Sequence, residues 1–214
     1  IVTRDNVPAG VVTERGIIRE LVTAGEISAD MAVERVMTTK FVRVSPDMSV
    51  EAAAEEMLSK KGRLLVFDDE ELVGVLTVTD LVRAFSKSGK NPSFRRTASM
   101  HVYIASADES VASVLRTMHE TRIGSLLITE KGAPSGIFTE RDLLTKVLYK
   151  GENLTRRVGD FASRPLIELP LDSGARDAAA LMVEKKIKRL PLRSESGIMG
   201  IVTARDVVEA FVTS

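Results

Sequence analysis

Short apolar runs recur along this chain at a regular interval: Leu64–Phe67, Leu126–Ile128 and Leu190–Leu192. Each begins ten residues before a Gly-apolar-apolar-Thr step (Gly74, Gly136 and Gly200), and each step leads into a stretch with helical spacing of apolar residues. Runs of this length, apolar on both faces, predict buried strands. The stretches Ile17–Leu21, Leu81–Phe85, Leu143–Leu148 and Val207–Phe211 predict amphipathic helices. Upstream of each run, Asp47, Asp108 and Asp172 precede an Ala-rich or Val-rich segment, and a Met falls ten residues after each Asp: Met57, Met118 and Met182. Before these lie short strands, placed at Val42–Val44, Val102–Ile104 and Leu166–Leu169.

Adding Gly10 to the series gives glycines every 62 to 64 residues. Such self-similarity is the signature of repeats. Each unit reads strand, helix, two strands around a turn, second helix. Against Gly136, the opening Ile1-Val2-Thr3 falls on Leu127-Ile128-Thr129 and Pro8 falls on Pro134. The expectation is therefore a chain that starts inside the middle strand of a first unit, cut from a protein with four.

The expected boundaries are 1–24, 34–86, 97–149 and 157–214. The first unit is most like the third, since Thr13-Glu14-Arg15 recurs at Thr139-Glu140-Arg141. The second shares Lys60-Lys61 and Arg63-Leu64 with the fourth, at Lys185-Lys186 and Arg189-Leu190. A lone unit of about 60 residues leaves one sheet face bare, and a second copy can cover it. The expected architecture is thus α/β (α+β), β-α-β-β-α units paired through their sheets into modules 1–90 and 95–214. The polar stretch Ser86–Arg96 reads as the linker between them.

Composition narrows the function classes. Thirty Lys and Arg balance thirty Asp and Glu, with two Tyr and no Trp. No global field draws in nucleic acid, and no aromatic platform stacks its bases. Cysteine is absent, which excludes thiol catalysis and thiolate metal sites and agrees with a cytoplasmic setting. No apolar run nears the ~20 residues of a membrane span, and the start shows no signal peptide. His101 and His119 are the only histidines and have no metal-ligand spacing, and no phosphate-binding glycine loop is present. An enzyme finds little support.

The sharpest motif is Gly-apolar-apolar-Thr-x-x-Asp, with Thr77/Asp80, Thr139/Asp142 and Thr203/Asp206. Thr-x-x-acid ahead of an apolar helix is a capping box. A helix N-terminus is equally an anion site. In the first unit Thr13 is present but Gly16 replaces the acid, which predicts a defective site and a helix weaker by about 1 kcal/mol.

These residues, above all Gly136-Ile-Phe-Thr-Glu-Arg-Asp142, Gly200-Ile-Val-Thr-Ala-Arg-Asp206 and the strand Gly124–Ile128, resemble the CBS domain family over nearly the whole chain. The resemblance implies Bateman modules, often stacked as homodimers. Their clefts bind adenosyl ligands: AMP, ADP, ATP or S-adenosylmethionine. It further implies that the Asp accepts from ribose hydroxyls, that the Thr faces the sugar or phosphate, and that the first strand lines the adenine pocket. That wall maps to Val102 with His101 in the third unit and to Pro165 and Leu166 in the fourth. Phosphate partners would come from Arg63, Arg141, Lys188, Arg189 and Arg205. The fourth unit gathers three of these and is the favoured anion site. The implied function is non-catalytic regulatory sensing, with a regulated partner protein. The alternatives are an oligomerisation module with vestigial pockets and a nucleic-acid-binding protein.

Overall fold

The computed structural model describes residues 1–25, 30–60 and 63–214. Four three-stranded sheets alternate with helices in the expected order. The first repeat contributes β1 (Val2–Arg4), β2 (Val7–Val12) and α1 (Glu14–Ala24), with β3 (Met37–Thr38) added to its sheet. The second contains β4 (Phe41–Val44), α2 (Val50–Lys60), β5 (Arg63–Asp68), β6 (Glu71–Leu76) and α3 (Val78–Phe85). The third runs β7 (Ile104–Ser106), α4 (Val111–Thr121), β8 (Ser125–Glu130), β9 (Ala133–Thr139) and α5 (Glu140–Asp142), which continues as a π-helical turn over Leu143–Leu148. The fourth runs β10 (Leu169–Pro170), α6 (Ala175–Lys185), β11 (Arg189–Ser194), β12 (Gly197–Thr203) and α7 (Ala204–Val212). Lys61 of the shared Lys-Lys pair lies outside the described residues.

The middle strands are buried as their apolar runs require: Leu64, Leu65, Ile128, Leu190 and Leu192 have no exposed surface. Met57, Met118 and Met182 are buried on the first helix of their repeats. Two first strands lie further along than expected. The parallel ladder starts at Ile104 rather than Val102, and at Leu169 rather than Leu166. Ala105 and Leu169 are the buried positions of those strands.

The glycine that sets the repeat has a physical reason. In each hairpin it falls at a bulge, with Val2↔Gly10, Val66↔Gly74, Ile128↔Gly136 and Leu192↔Gly200 in the same register. At three of the four another segment runs alongside. A Cβ on Gly136 would stand 2.8 Å from Ser163 O, one on Gly200 2.7 Å from Ser99 O, and one on Gly10 2.7 Å from Met37 Sδ. These neighbours are added edge strands. Ser163 exchanges two backbone hydrogen bonds with Ile137 (2.8 and 3.1 Å), and Ser99 exchanges two with Ile201 (3.1 and 2.8 Å). Each comes from the stretch leading into a different repeat from the one it pairs with. Gly74 meets nothing nearer than Val66 at 3.8 Å.

The chain forms two compact units, each built from two stretches. One is Ile1–Thr39 with Val102–Leu166, and the other is Lys40–His101 with Ile167–Ser214. This is not the division into 1–90 and 95–214. Each unit takes one repeat from each half of the chain, and the packing inside it is helix on helix. In the first, α1 meets α4 and α5; in the second, α3 meets α6 and α7, and α2 meets α7. The second helices bear apolar stripes that their own three strands leave open, and a helix from the alternate repeat covers them. Ile18 and Leu21 thus join Val114, Met118 and Leu143 in one core, while Leu81 and Val82 join Val207 and Val208 in the other.

Ser86–Arg96 is not a free linker. Phe94 has no exposed surface and belongs to the core of the second unit. Asn91 Oδ1 accepts from Arg176 N (2.9 Å), its Nδ2 donates to Asp177 Oδ2 (2.9 Å), and Pro92 O accepts from Ala175 N (2.8 Å). The segment satisfies first-turn donors of α6. Its polar composition conceals one large apolar anchor.

Candidate functional site

At the join of the last strand and second helix, one half of each motif carboxylate is committed to capping. Asp80 Oδ2 accepts from Thr77 N (3.0 Å) and Oγ1 (2.6 Å). Asp142 Oδ2 accepts from Thr139 N (2.9 Å) and Oγ1 (2.6 Å), and Asp206 Oδ2 from Thr203 N (2.7 Å) and Oγ1 (2.8 Å). Each Thr is extended and the next residue opens the helix. The capping-box reading therefore holds for Oδ2 in all three. What differs is Oδ1.

Asp80 Oδ1 pairs with Arg83 at 3.3 Å, and its side chain is 38% exposed. Asp142 Oδ1 is taken twice, by Lys146 Nζ at 2.8 Å and by Ser163 Oγ at 2.7 Å, in a residue only 5% exposed. Asp206 Oδ1 accepts no hydrogen bond among the described residues. Burial pushes the Asp206 carboxyl above its ordinary value, against the pull of the Thr203 N–H and hydroxyl.

The first repeat closes its site by a different route. A Cβ at Gly16 would stand 2.2 Å from Val36 O. Gly16 is thus required for close approach of the chain leading into β4, and the expected loss of helix stability is offset by that packing. Thr13 Oγ1 still accepts from Gly16 N at 3.1 Å. Glu20, one turn on, is buried and paired with Arg35 at 2.7 Å.

The basic candidates separate. Arg205 turns away from the motif: NH2 donates to Leu58 O (2.6 Å) and NH1 to Met57 O (3.4 Å). It satisfies last-turn carbonyls of α2, which otherwise lack partners. It also lines a groove of about 600 Å³ with Glu55 and Glu209, whose carboxylates would oppose an anion. Arg189, by contrast, lies directly across the ladder from Thr203, and Lys188 O accepts from Ala204 N (2.8 Å) at the start of α7. Both backbones adjoin the start of α7. Arg63 is exposed at the start of β5 opposite Phe41, and Arg141 is exposed in the first turn of α5.

The expected adenine walls are exchanged. The stretch ending in Pro165 and Leu166 belongs to the first unit, where Ser163 runs along β9 of the third repeat. The stretch Ser99–His101 belongs to the second unit and runs along β12 of the fourth. Ser99 and Met100 therefore lie along Gly200 and Ile201 of the fourth repeat's motif strand, and Thr97 Oγ1 donates to Asp206 O at 3.0 Å. Val102 falls in the first unit, just beyond that stretch. Edge-strand exchange connects segments far apart in sequence, which repeat alignment assigns to their own unit. Ser163 and Met100 were missed for this reason, and Lys146 because its ion pair one helical turn on lies outside the repeated motif. One signal for Lys146 was available: the matching positions are Ala84 and Ala210.

Among the described residues no three His, Asp or Glu side chains are grouped to hold a metal ion, and no helix is long and apolar enough to cross a membrane.

Residues 33–87, 98–149 and 158–213 match the family model of the CBS domain. The chain belongs to the CBS domain family. Protein MK0525 of Methanopyrus kandleri is 39% identical over 111 residues, 50% of this chain and 57% of that protein. Inosine-5'-monophosphate dehydrogenase of Korarchaeum cryptofilum is 34% identical over 107 residues, 50% of this chain but 21% of that enzyme. The chain thus spans less than two thirds of the length of these curated relatives. Among solved CBS-type structures, protein MJ1225 of Methanocaldococcus jannaschii superposes with a TM-score of 0.78, covering 99% of this chain and 86% of that one at 20% identity. At that identity the likeness is one of fold.

Proposed function

We propose that this CBS-domain chain is a non-catalytic regulatory module that senses an adenosyl ligand through its fourth repeat. The observation that carries the reading is the Asp206 carboxylate. Oδ2 is fixed by Thr203, while Oδ1 has no partner among the described residues and sits in a half-buried setting. That leaves Oδ1 with open accepting capacity, and a ribose hydroxyl would supply the donor in a charge-assisted hydrogen bond. Lys188 and Arg189 stand at the same helix N-terminus, where a phosphate gains from unpaired N–H groups and the helix dipole. Ser99 and Met100 offer backbone and an apolar side chain for a base.

Occupancy regulates only if the ligand favours one arrangement of the protein over another. The stretch Thr97–His101 is the element to move, since Thr97 bonds Asp206 O and Ser99 forms the added edge strand before the third repeat begins. In the Korarchaeum enzyme a similar segment makes up one fifth of the protein, as suits an accessory module. The regulated partner, AMP, ADP, ATP or S-adenosylmethionine as the ligand, homodimer assembly and a cytoplasmic setting belong to the same reading.

The test is thermal unfolding of the full chain with AMP, ADP, ATP, S-adenosylmethionine and GMP. A ligand at 100 times its dissociation constant adds about 2.7 kcal/mol. Stabilisation by an adenosyl ligand, absent with GMP and lost in Asp206→Ala, supports the reading. No stabilisation at millimolar concentration removes it. A second reading, an oligomerisation module with vestigial pockets, draws on the first and third repeats, whose sites are filled by Val36 O and by Lys146.

A further inference from the structure

We propose that Lys146 closes the third repeat to ribosyl ligands by acting as an internal cation on the oxygen that a ribose would use. The inference rests on the reading of Asp206 given above, and it assigns the third repeat a different role from the fourth.

The arrangement is saturated. Asp142 takes four donors: Thr139 N and Oγ1 on Oδ2, and Lys146 Nζ and Ser163 Oγ on Oδ1. Its lone pairs are used up. The ammonium is equally satisfied, with Asp142 Oδ1 at 2.8 Å, Ser163 Oγ at 2.8 Å and Phe161 O at 3.0 Å for its three protons. Ser163 Oγ donates to the carboxylate while accepting from the ammonium, so the three groups form a closed triangle. A ribose hydroxyl entering here must displace a charge-assisted bond in a buried site, and returns no more than it removes.

Position explains why only this repeat is closed in this way. Four residues after the motif acid, one helical turn on, the second and fourth repeats carry Ala84 and Ala210. A methyl group reaches no carboxylate oxygen. Lys146 does, and by bonding Phe161 O and Ser163 Oγ it also pins the stretch leading into the fourth repeat against the third. The motif that reads a ligand in one repeat serves as a latch in the other.

The experiment is isothermal titration of the full chain with AMP and separately with S-adenosylmethionine. It compares wild type with Lys146→Ala, Lys146→Met and Lys146→Ala/Asp142→Asn, each checked for folding by its melting curve. Lys146→Met keeps the packing of the stem and is the variant to read if Lys146→Ala does not fold. The expected result is one more binding event per chain in the single variants than in wild type, lost again in the double variant. A lower melting temperature with no added event marks a merely structural ion pair and overturns the proposal. So does a wild-type site that Asp142→Asn, titrated as a further control, abolishes by itself. The wild-type count separately judges the Asp206 reading: none in wild type and one in Lys146→Ala would sink that reading and uphold this one.

Discussion

The rings of Phe85 and Phe211 stack 4.6 Å apart and 9° from parallel, joining the last turn of α3 in the second repeat to the last turn of α7 in the fourth. Both residues are 8% exposed. The contact closes the helix packing that makes these two repeats one unit. Replacing either ring by Ala should cost about 3–5 kcal/mol. In urea unfolding the double variant should fall short of the sum by about 0.5–1.5 kcal/mol, the worth of a coupled aromatic pair. Strict additivity would mean that the two helices are stabilised independently.

Gly16 and Val36 O leave no room for a side chain between them. Installing the missing motif residue with Gly16→Asp is therefore expected to destabilise the protein by about 1–3 kcal/mol, as overpacking does. It should not create a ligand site. Thermal unfolding and titration with AMP measure the two effects. A neutral variant that gains binding would show that the first repeat lacks only its acid.

Asn91 lies in the stretch whose composition reads as linker, yet it bonds the first turn of α6 through both ends of its amide. Asn91→Ala should cost about 0.5–2 kcal/mol, the range for losing a helix cap. A linker position would move stability by no more than about 0.5 kcal/mol. Denaturant midpoints distinguish these values.

Asp206 carries the pH dependence with an unusual sign. Its folded pKa is raised by burial. Between the unfolded value of about 3.9 and that raised value the native state binds more protons than the unfolded one. Its contribution to stability therefore falls as pH rises through this window. Asp206→Asn should remove that fall, flattening the stability profile there relative to wild type. Ligand binding should run the other way, since only the ionised carboxylate offers two accepting oxygens: affinity should drop as the pH is lowered through the raised value. A wild-type profile identical to that of Asp206→Asn would remove the group from both accounts.

What the sequence determined by itself was the local order. Period and composition place the buried strands at Leu64, Leu126 and Leu190, the Met positions inside the first helices, and Thr-x-x-Asp at helix starts. These depend on neighbours within a turn or a hairpin, and each repeat states them afresh. Even the register of the first hairpin, Val2 opposite Gly10, is the one that alignment on Gly136 implies. Tertiary structure decided the rest. It sent Arg205 to the carbonyls of α2, set Ser99 rather than Pro165 beside the fourth repeat's motif, and gave Asp142 but not Asp206 an internal cation. It also joined alternate repeats through their helices. Apart from the Asp142–Lys146 pair one helical turn apart, those outcomes turn on groups far apart in sequence meeting at an edge or a helix face. A repeated pattern cannot tell one copy's neighbour from another's, because every copy presents the same edge and the same apolar stripe until packing selects among them.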